Sequence, residues 1–139
     1  MWVVGNDGYF GQLWRKKQGG TWTWHPMSNQ NGILLAVWSQ GGYAVAVGPN
    51  RGILSSNGVI SKQTYSKFPT LNGVWGTSPT NWYVVGTGGR IYQNSKKMMI
   101  SGTSADLYDV WGSGPTDIYA VGAKGAIVST RKLAHNFLP

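Results

Sequence analysis

V-W-G-T-S-P-T-N-W-Y-V-V-G, Val74 to Gly86, is written almost again as V-W-G-S-G-P-T-D-I-Y-A-V-G, Val110 to Gly122. Eight of the thirteen positions are identical, and the copies start 36 residues apart. A fixed period in a chain is the mark of an architecture assembled from repeated units. Working outward, the V-W pair occurs a third time at Val37-Trp38, 37 residues before Val74-Trp75. An apolar pair running into V-G ends at Gly5, Gly48, Gly86 and Gly122, and a further glycine follows each at Gly8, Gly52, Gly89 and Gly125.

These landmarks divide each copy into four short strands, here A to D. Leu34–Trp38, Leu71–Trp75 and Leu107–Trp111 have the β-branched and aromatic character of a buried strand A. Two of the loops that follow are S-P-T-N and G-P-T-D, where Pro sets φ for a turn and Asn81 or Asp117 can accept a hydrogen bond from nearby backbone. Strand B is Trp2–Val4, Tyr43–Val47, Trp82–Val85 and Ile118–Val121. A glycine at positive φ is expected to close each B–C turn. Strand C is then Tyr9–Trp14, Ile53–Ser55, Ile91–Gln93 and Ile127–Ser129, and strand D is Thr21–His25, Val59–Thr64, Lys97–Ile100 and Leu133–Phe137.

The unit is a four-stranded antiparallel meander, and one meander cannot bury both of its faces. Copies stacked around an axis bury sheet against sheet and leave only short edges, so the expected fold is an all-β propeller of four-stranded blades. The chain reads as one domain, 1–139, with about four blade repeats: 1–30 (incomplete, without its inner strand), 31–68, 69–104 and 105–139. Trp38, Trp75 and Trp111 are expected to wedge between adjacent blades. The strand order, BCD and then ABCD three times, leaves three readings open: a segment of a longer propeller, two chains completing one ring, or a four-bladed ring with an incomplete first blade. A homo-oligomer or a part of a larger propeller is therefore expected, because an open arc leaves apolar terminal faces.

The pattern L-x-x-V-W-G-x-x-P-T-D-x-Y-A-V-G-x-x-G-x-I, clearest in Leu107–Ile127 and Leu71–Ile91, resembles bacterial propeller repeats loosely related to BNR or Asp-box propellers. It is also similar to photosystem II assembly and stability factors. The stretch K-K-Q-G-G-T-W-T-W, Lys16 to Trp24, resembles a degenerate Asp-box hairpin in which Gly19, Thr21 and Trp22 match. Arg15 and Lys17 stand where Ser and Asp belong, which leaves the hairpin a structural role only. The resemblance implies an extracellular or cell-envelope setting. WD40 and kelch signatures fit worse, since G-H and W-D pairing is missing and Gly41-Gly42 is a solitary double glycine.

Composition agrees with an all-β reading: of 139 residues, 21 are Gly, eight Trp and seven Tyr. With no Cys, neither a disulfide framework nor thiolate metal ligation is available. No apolar run approaches the roughly 20 residues that a membrane-crossing helix needs, and M-W-V-V-G-N-D-G lacks the basic and apolar regions of a signal peptide. Twelve Lys and Arg stand against four Asp, a formal charge of +8. Such a surplus favours anionic partners, although it also suits a solvated β surface.

Catalytic chemistry finds little to work with. Glycosidase action needs paired carboxylates, and the chain offers only Asp7, Asp106, Asp109 and Asp117, all at turn or strand-entry positions. His25 and His135 fall in or near D strands, with no Ser–His–acid or metal-ligand spacing around them. G-T-G-G-R is a hairpin turn, with no helix or P-loop lysine after it. No catalytic residue, metal or cofactor is expected.

Basic residues instead gather in the turns. Arg51, Arg90 and Lys124 lie in B–C turns, near the mouth of the expected channel, and form a candidate arc for an anionic ligand. Arg15, Lys16, Lys17, Lys96, Lys97, Arg131 and Lys132 lie in C–D turns at the outer rim. Strand alternation places A–B and C–D turns on one side and B–C and D–A turns on the other. The leading expectation is a non-catalytic module that binds a protein or an anionic polymer. One alternative is a lectin that stacks sugars on Trp14, Trp24 and Tyr92; another is a fragment of a BNR/sialidase-like glycoside hydrolase.

Overall fold

A computed structural model describes residues 1–6, 11–26, 33–49, 51–56, 59–64, 70–94 and 97–130, with backbone alone at 6, 26, 51–56 and 59–64. The described residues form four antiparallel sheets, each a meander in chain order. The first holds β1 (Trp2–Asn6), β2 (Gly11–Lys16) and β3 (Trp22–Pro26), and the second β4 (Ala36–Gln40), β5 (Tyr43–Gly48), β6 (Arg51–Ser56) and β7 (Val59–Thr64). The third holds β8 (Leu71–Ser78), β9 (Asn81–Gly86), β10 (Ile91–Gln93) and β11 (Lys97–Met99). The fourth holds β12 (Leu107–Gly114), β13 (Asp117–Gly122) and β14 (Ile127–Ser129). The strand expected at Leu133–Phe137 lies outside the described residues.

Two compact units divide the chain, Met1–Leu71 and Asn72–Pro139, and each has its own core. Successive strand residues point to opposite faces, so Trp2 and Val4 share a face while Val3 takes the other. In the first unit Trp2, Val4 and Leu13 pack with Leu34, Val37, Ala44 and Ala46. In the second, Tyr83, Val85 and Ile91 pack with Leu107, Val110, Ile118, Ala120 and Val128. The two cores draw on matching places in the sequence: Val4 and Val85 each precede the V-G glycine, and Leu34 and Leu107 each stand three residues before the V-W valine.

Space explains two of the recurring glycines. A Cβ on Gly48 would collide with the Ile33 carbonyl, and one on Gly122 with the Asp106 carbonyl. At each site the chain entering strand A passes directly over the end of strand B. Leu35 N–H donates to the Val47 carbonyl at 2.8 Å, and Ala123 N–H donates to the Asp106 carbonyl at 2.7 Å. Gly5, at the corresponding place in the first sheet, has nothing within 4 Å of a built Cβ. The W-G glycine has a different task. A Cβ on Gly112 would lie 2.7 Å from both the Asp117 carbonyl of its own sheet and the Trp75 ring, so this glycine lets strand B pass close and makes room for a tryptophan arriving from the neighbouring sheet.

The turns differ in detail from the sequence reading. Asn81 and Asp117 bridge to side chains of the preceding strand: Asn81 Nδ2 donates to Thr77 Oγ1 at 2.9 Å, and Ser113 Oγ donates to Asp117 Oδ2 at 2.6 Å. A second recurrence joins the far end of strand C to this turn. Asn94 Oδ1 accepts from Trp82 N–H at 3.0 Å, and its amide donates to the Thr80 carbonyl at 2.6 Å. Thr130 Oγ1 does both jobs in the fourth sheet, accepting from Ile118 N–H at 3.1 Å and donating to the Thr116 carbonyl at 2.8 Å. The B–C connections of the third and fourth sheets are single 3-10 turns, Thr87–Gly89 and Ala123–Gly125, where Gly89 and Gly125 both have φ 71°. The second sheet differs: Gly48 pairs directly with Arg51 across a two-residue turn, and Gly52 lies within the strand.

Burial pushes the Tyr83 hydroxyl above its ordinary pKa of 10.0, where its oxygen accepts from Gln93 Nε2 at 3.0 Å. In the folded chain the hydroxyl keeps its proton at pH values where the unfolded chain has lost it. Its contribution to stability is therefore complete below pH 10.0 and declines as pH rises through the raised value. Tyr83→Phe should remove this part of the alkaline decline. Urea midpoints on both sides of pH 10.0 test the point, and equal declines in the two proteins would refute it.

Candidate functional site

The first unit carries a cation-lined cleft at one end of its sheets. Antiparallel register places Arg15 opposite both Trp2 and Thr23, and Lys16 opposite Trp22. Cross-strand neighbours on one face touch, and here they fix the cations. The Arg15 guanidinium lies 5.3 Å from the Trp2 ring centroid, and the Lys16 ammonium 5.9 Å from that of Trp22. Both distances fall within the reach of a cation–π attraction, which holds a charge in place without neutralising it. Lys17 follows at the hairpin, where Gly19 takes φ 71°.

The opposite wall comes from the second sheet. Gln40 pairs with Tyr43 across Gly41 and Gly42, whose φ values of 57° and 87° suit the primed hairpin turn that matches strand twist. Lacking side chains, the two glycines keep this wall low. Arg15 thus faces Ser39, Gln40 and Gly41 across a cleft of about 330 Å³ whose lining includes no carboxylate, with Lys17 at its edge and Lys16 turned to Trp22 on the other face of the sheet. The A–B and C–D turns meet at this cleft, on one side as strand alternation requires. The sequence singled out its three cations; Ser39, Gln40 and the glycines were missed. Their only signal was the solitary Gly-Gly pair, which marks a tight turn but does not reveal its neighbour.

The other basic residues stand at unlike places in their own sheets. Arg90 is exposed and follows the 3-10 turn Thr87–Gly89, whereas Lys124 lies inside the turn Ala123–Gly125 at φ 56°. Counted from the V-G glycines, the two stand at different places, and Arg51 at a third. The described backbone of Arg51 opens β6. Lys97 is exposed in β11, and Lys96, Arg131 and Lys132 fall outside the described residues.

The chain matches no protein-family model and no curated protein. What the site does must therefore be read from its own residues.

Among the aromatic residues, Trp14 and Trp24 are exposed cross-strand neighbours, with ring centroids 6.5 Å apart. Tyr92 is only 7% exposed, so it cannot serve the stacking platform expected of it. Cross-strand register turns it to the same face as Val84, which is likewise buried. Trp38 is partly buried, its ring edge-on to Tyr43 at 6.4 Å. Trp75 packs against the core of its unit and lies over Gly112 of the next sheet, while Trp111 is 62% exposed.

The described carboxylates are engaged in hydrogen bonds within the second unit. Asp106 Oδ1 accepts from Gly88 N–H at 2.8 Å, Asp109 Oδ1 from Val110 N–H at 2.8 Å, and Asp117 is held by Ser113. Asp7 and His135 lie outside the described residues. His25 is partly buried, 5.6 Å from the Trp2 ring, and its Nε2 is buried without a hydrogen-bond partner. Among the described residues no group of three or more His, Cys, Asp or Glu is placed to hold a metal. No helix there is long and apolar enough to cross a membrane.

Proposed function

We propose that the chain is a β-propeller binding module without catalysis, and that it holds an anionic polymer through the cleft of Arg15, Lys16 and Lys17. The observation that carries this reading is the cleft itself: three consecutive cations along its edge, Arg15 braced on Trp2 inside it and Lys16 on Trp22 at the outer face, and no carboxylate in the lining. Cations held in place lose less freedom on binding than free side chains do, which strengthens the attraction. Three further features support the propeller part of the reading. The V-W-G copies recur at a near-constant period, neighbouring sheets pack through matching residues in both units, and Trp75 seats on the glycine of the next V-W-G. A bacterial propeller repeat of the kind that the sequence resembles would give this arrangement.

Inorganic polyphosphate is the probe of choice, titrated while tryptophan emission is followed over a series of salt concentrations. Every cation withdrawn from a phosphate flattens the plot of log K against log salt by about 0.7–0.9. Replacing Arg15, Lys16 and Lys17 together by Gln should therefore lower the slope by about 2 and weaken binding at low salt. Replacing Arg51, Arg90 and Lys124 should change it less, since none of them lines this cleft. Polyphosphate binding left intact by the first triple substitution would end this assignment.

A further inference from the structure

Among the described residues, one face of the fourth sheet is apolar and uncovered. Register places Trp111, Tyr119 and Ser129 in one row, and Asp109, Val121 and Ile127 in the next. Trp111, Tyr119, Val121 and Ile127 are all exposed, Ile127 by 69%. Their counterparts in the third sheet, by alignment of the two V-W-G stretches, are Trp75, Tyr83, Val85 and Ile91. Tyr83, Val85 and Ile91 are buried against Val110, Ile118, Ala120 and Val128, and Trp75 packs on the same core. The bare face thus carries the residues that the chain buries one copy earlier.

The first sheet shows the other half. Its rows Val3–Trp14–Trp24 and Lys16–Trp22 point away from the core that Trp2, Val4 and Leu13 enter. Met1, Val3, Trp14, Trp22 and Trp24 are exposed, and Val3, Trp14 and Trp22 line an apolar trough of about 300 Å³. In the alignment, Met1, Val3 and Trp14 correspond to Ile118, Ala120 and Val128, the surface that receives Tyr83, Val85 and Ile91 in the second unit.

We infer that the bare face of the fourth sheet docks on the bare face of the first sheet of a second copy of this chain, head to tail. Tyr119, Val121 and Ile127 enter against Met1, Val3 and Trp14, which repeats between chains the contact made within each unit. One chain presents both halves exposed, so two copies satisfy each other without a different protein. The inference rests on the propeller part of the proposed function and is independent of the anion cleft. Such an interface is heterologous: each contact uses one face of each kind.

The test measures mass by sedimentation over a dilution series for three proteins. Wild type should reach at least twice the mass of one chain. Val121→Glu with Ile127→Glu alters the fourth sheet only, and Val3→Glu with Trp14→Glu alters the first only. Each double variant, with near-ultraviolet circular dichroism like that of wild type, should run as a single chain. Mixed in equal amounts, the two should form a one-to-one pair, because the mixture holds one intact face of each kind. The inference is overturned by a monomeric wild type, by single-face variants that still associate, or by a mixture that stays monomeric. It is also overturned if the exposed tryptophans of a monomer take up sugars instead. Polyphosphate titration of the same samples separates the two readings: a monomer that binds polyphosphate removes the docking and keeps the cleft, and an associating chain that ignores it does the reverse.

Discussion

Gly122→Ala should destabilise the second unit by about 3 kcal/mol, near the top of the usual range for forcing extra atoms into packed structure. The backbone at Gly122 is extended, with φ −165°, so conformational freedom is not the reason. The reason is the Asp106 carbonyl, which occupies the place of the missing methyl. A flexible side chain would swing away, but this obstacle is main chain held by the Ala123 N–H at 2.7 Å. Relief requires strand B to part from the segment entering strand A, which opens the core around Leu107. Gly5→Ala is the matched control. It alters the same motif where a built Cβ meets nothing within 4 Å, and should stay within about 0.5 kcal/mol of wild type. Urea unfolding of both variants reads the difference; equal costs at the two positions would show that space is not why this glycine recurs.

Trp75→Ala should cost the second unit about 3 kcal/mol, the low end for removing a large aromatic residue, because the ring is only partly buried. The substitution leaves a void over Gly112, which has no side chain to fill it, and uncovers the core beneath. Trp111→Ala changes the same letter of the same motif, yet its ring is 62% exposed and meets Trp75 only at 6.5 Å. Its cost should stay below about 1 kcal/mol in a single chain. Denaturation at low protein concentration measures both costs without contribution from association. If Trp111→Ala proved as costly as Trp75→Ala there, the idea that within this unit Trp75 and not Trp111 bridges the two sheets would be lost.

The strands were legible because their signals are local. Apolar runs bounded by Gly, Pro and Asn placed β7, β10 and β14 to the residue and most others within two. Boundaries moved where hydrogen bonds continue past the apolar run, as in β8, which extends to Ser78 so that Thr77 can meet Asn81. Tyr92 was misjudged because a tyrosine in a short strand looks alike on either face, and only register shows that it shares a face with Val84. The cleft was half legible. Its cations stand together in the sequence at 15–17, but the wall facing them comes from residues 39–42, and no periodicity tells which turns of neighbouring sheets meet. Arg51, Arg90 and Lys124 recur in the sequence at nearly equivalent positions, and the turns around them differ in build.

Asn94 and Thr130 span the same gap with unlike groups, an amide in one sheet and a hydroxyl in the other, and each ties the same pair of main-chain atoms. A letter-by-letter score counts this exchange as a loss, although the molecule registers none. Copies inside one gene can thus drift apart in spelling while their wiring stays constant. Kinship among such segments is better traced by which atoms are joined than by which residues are retained.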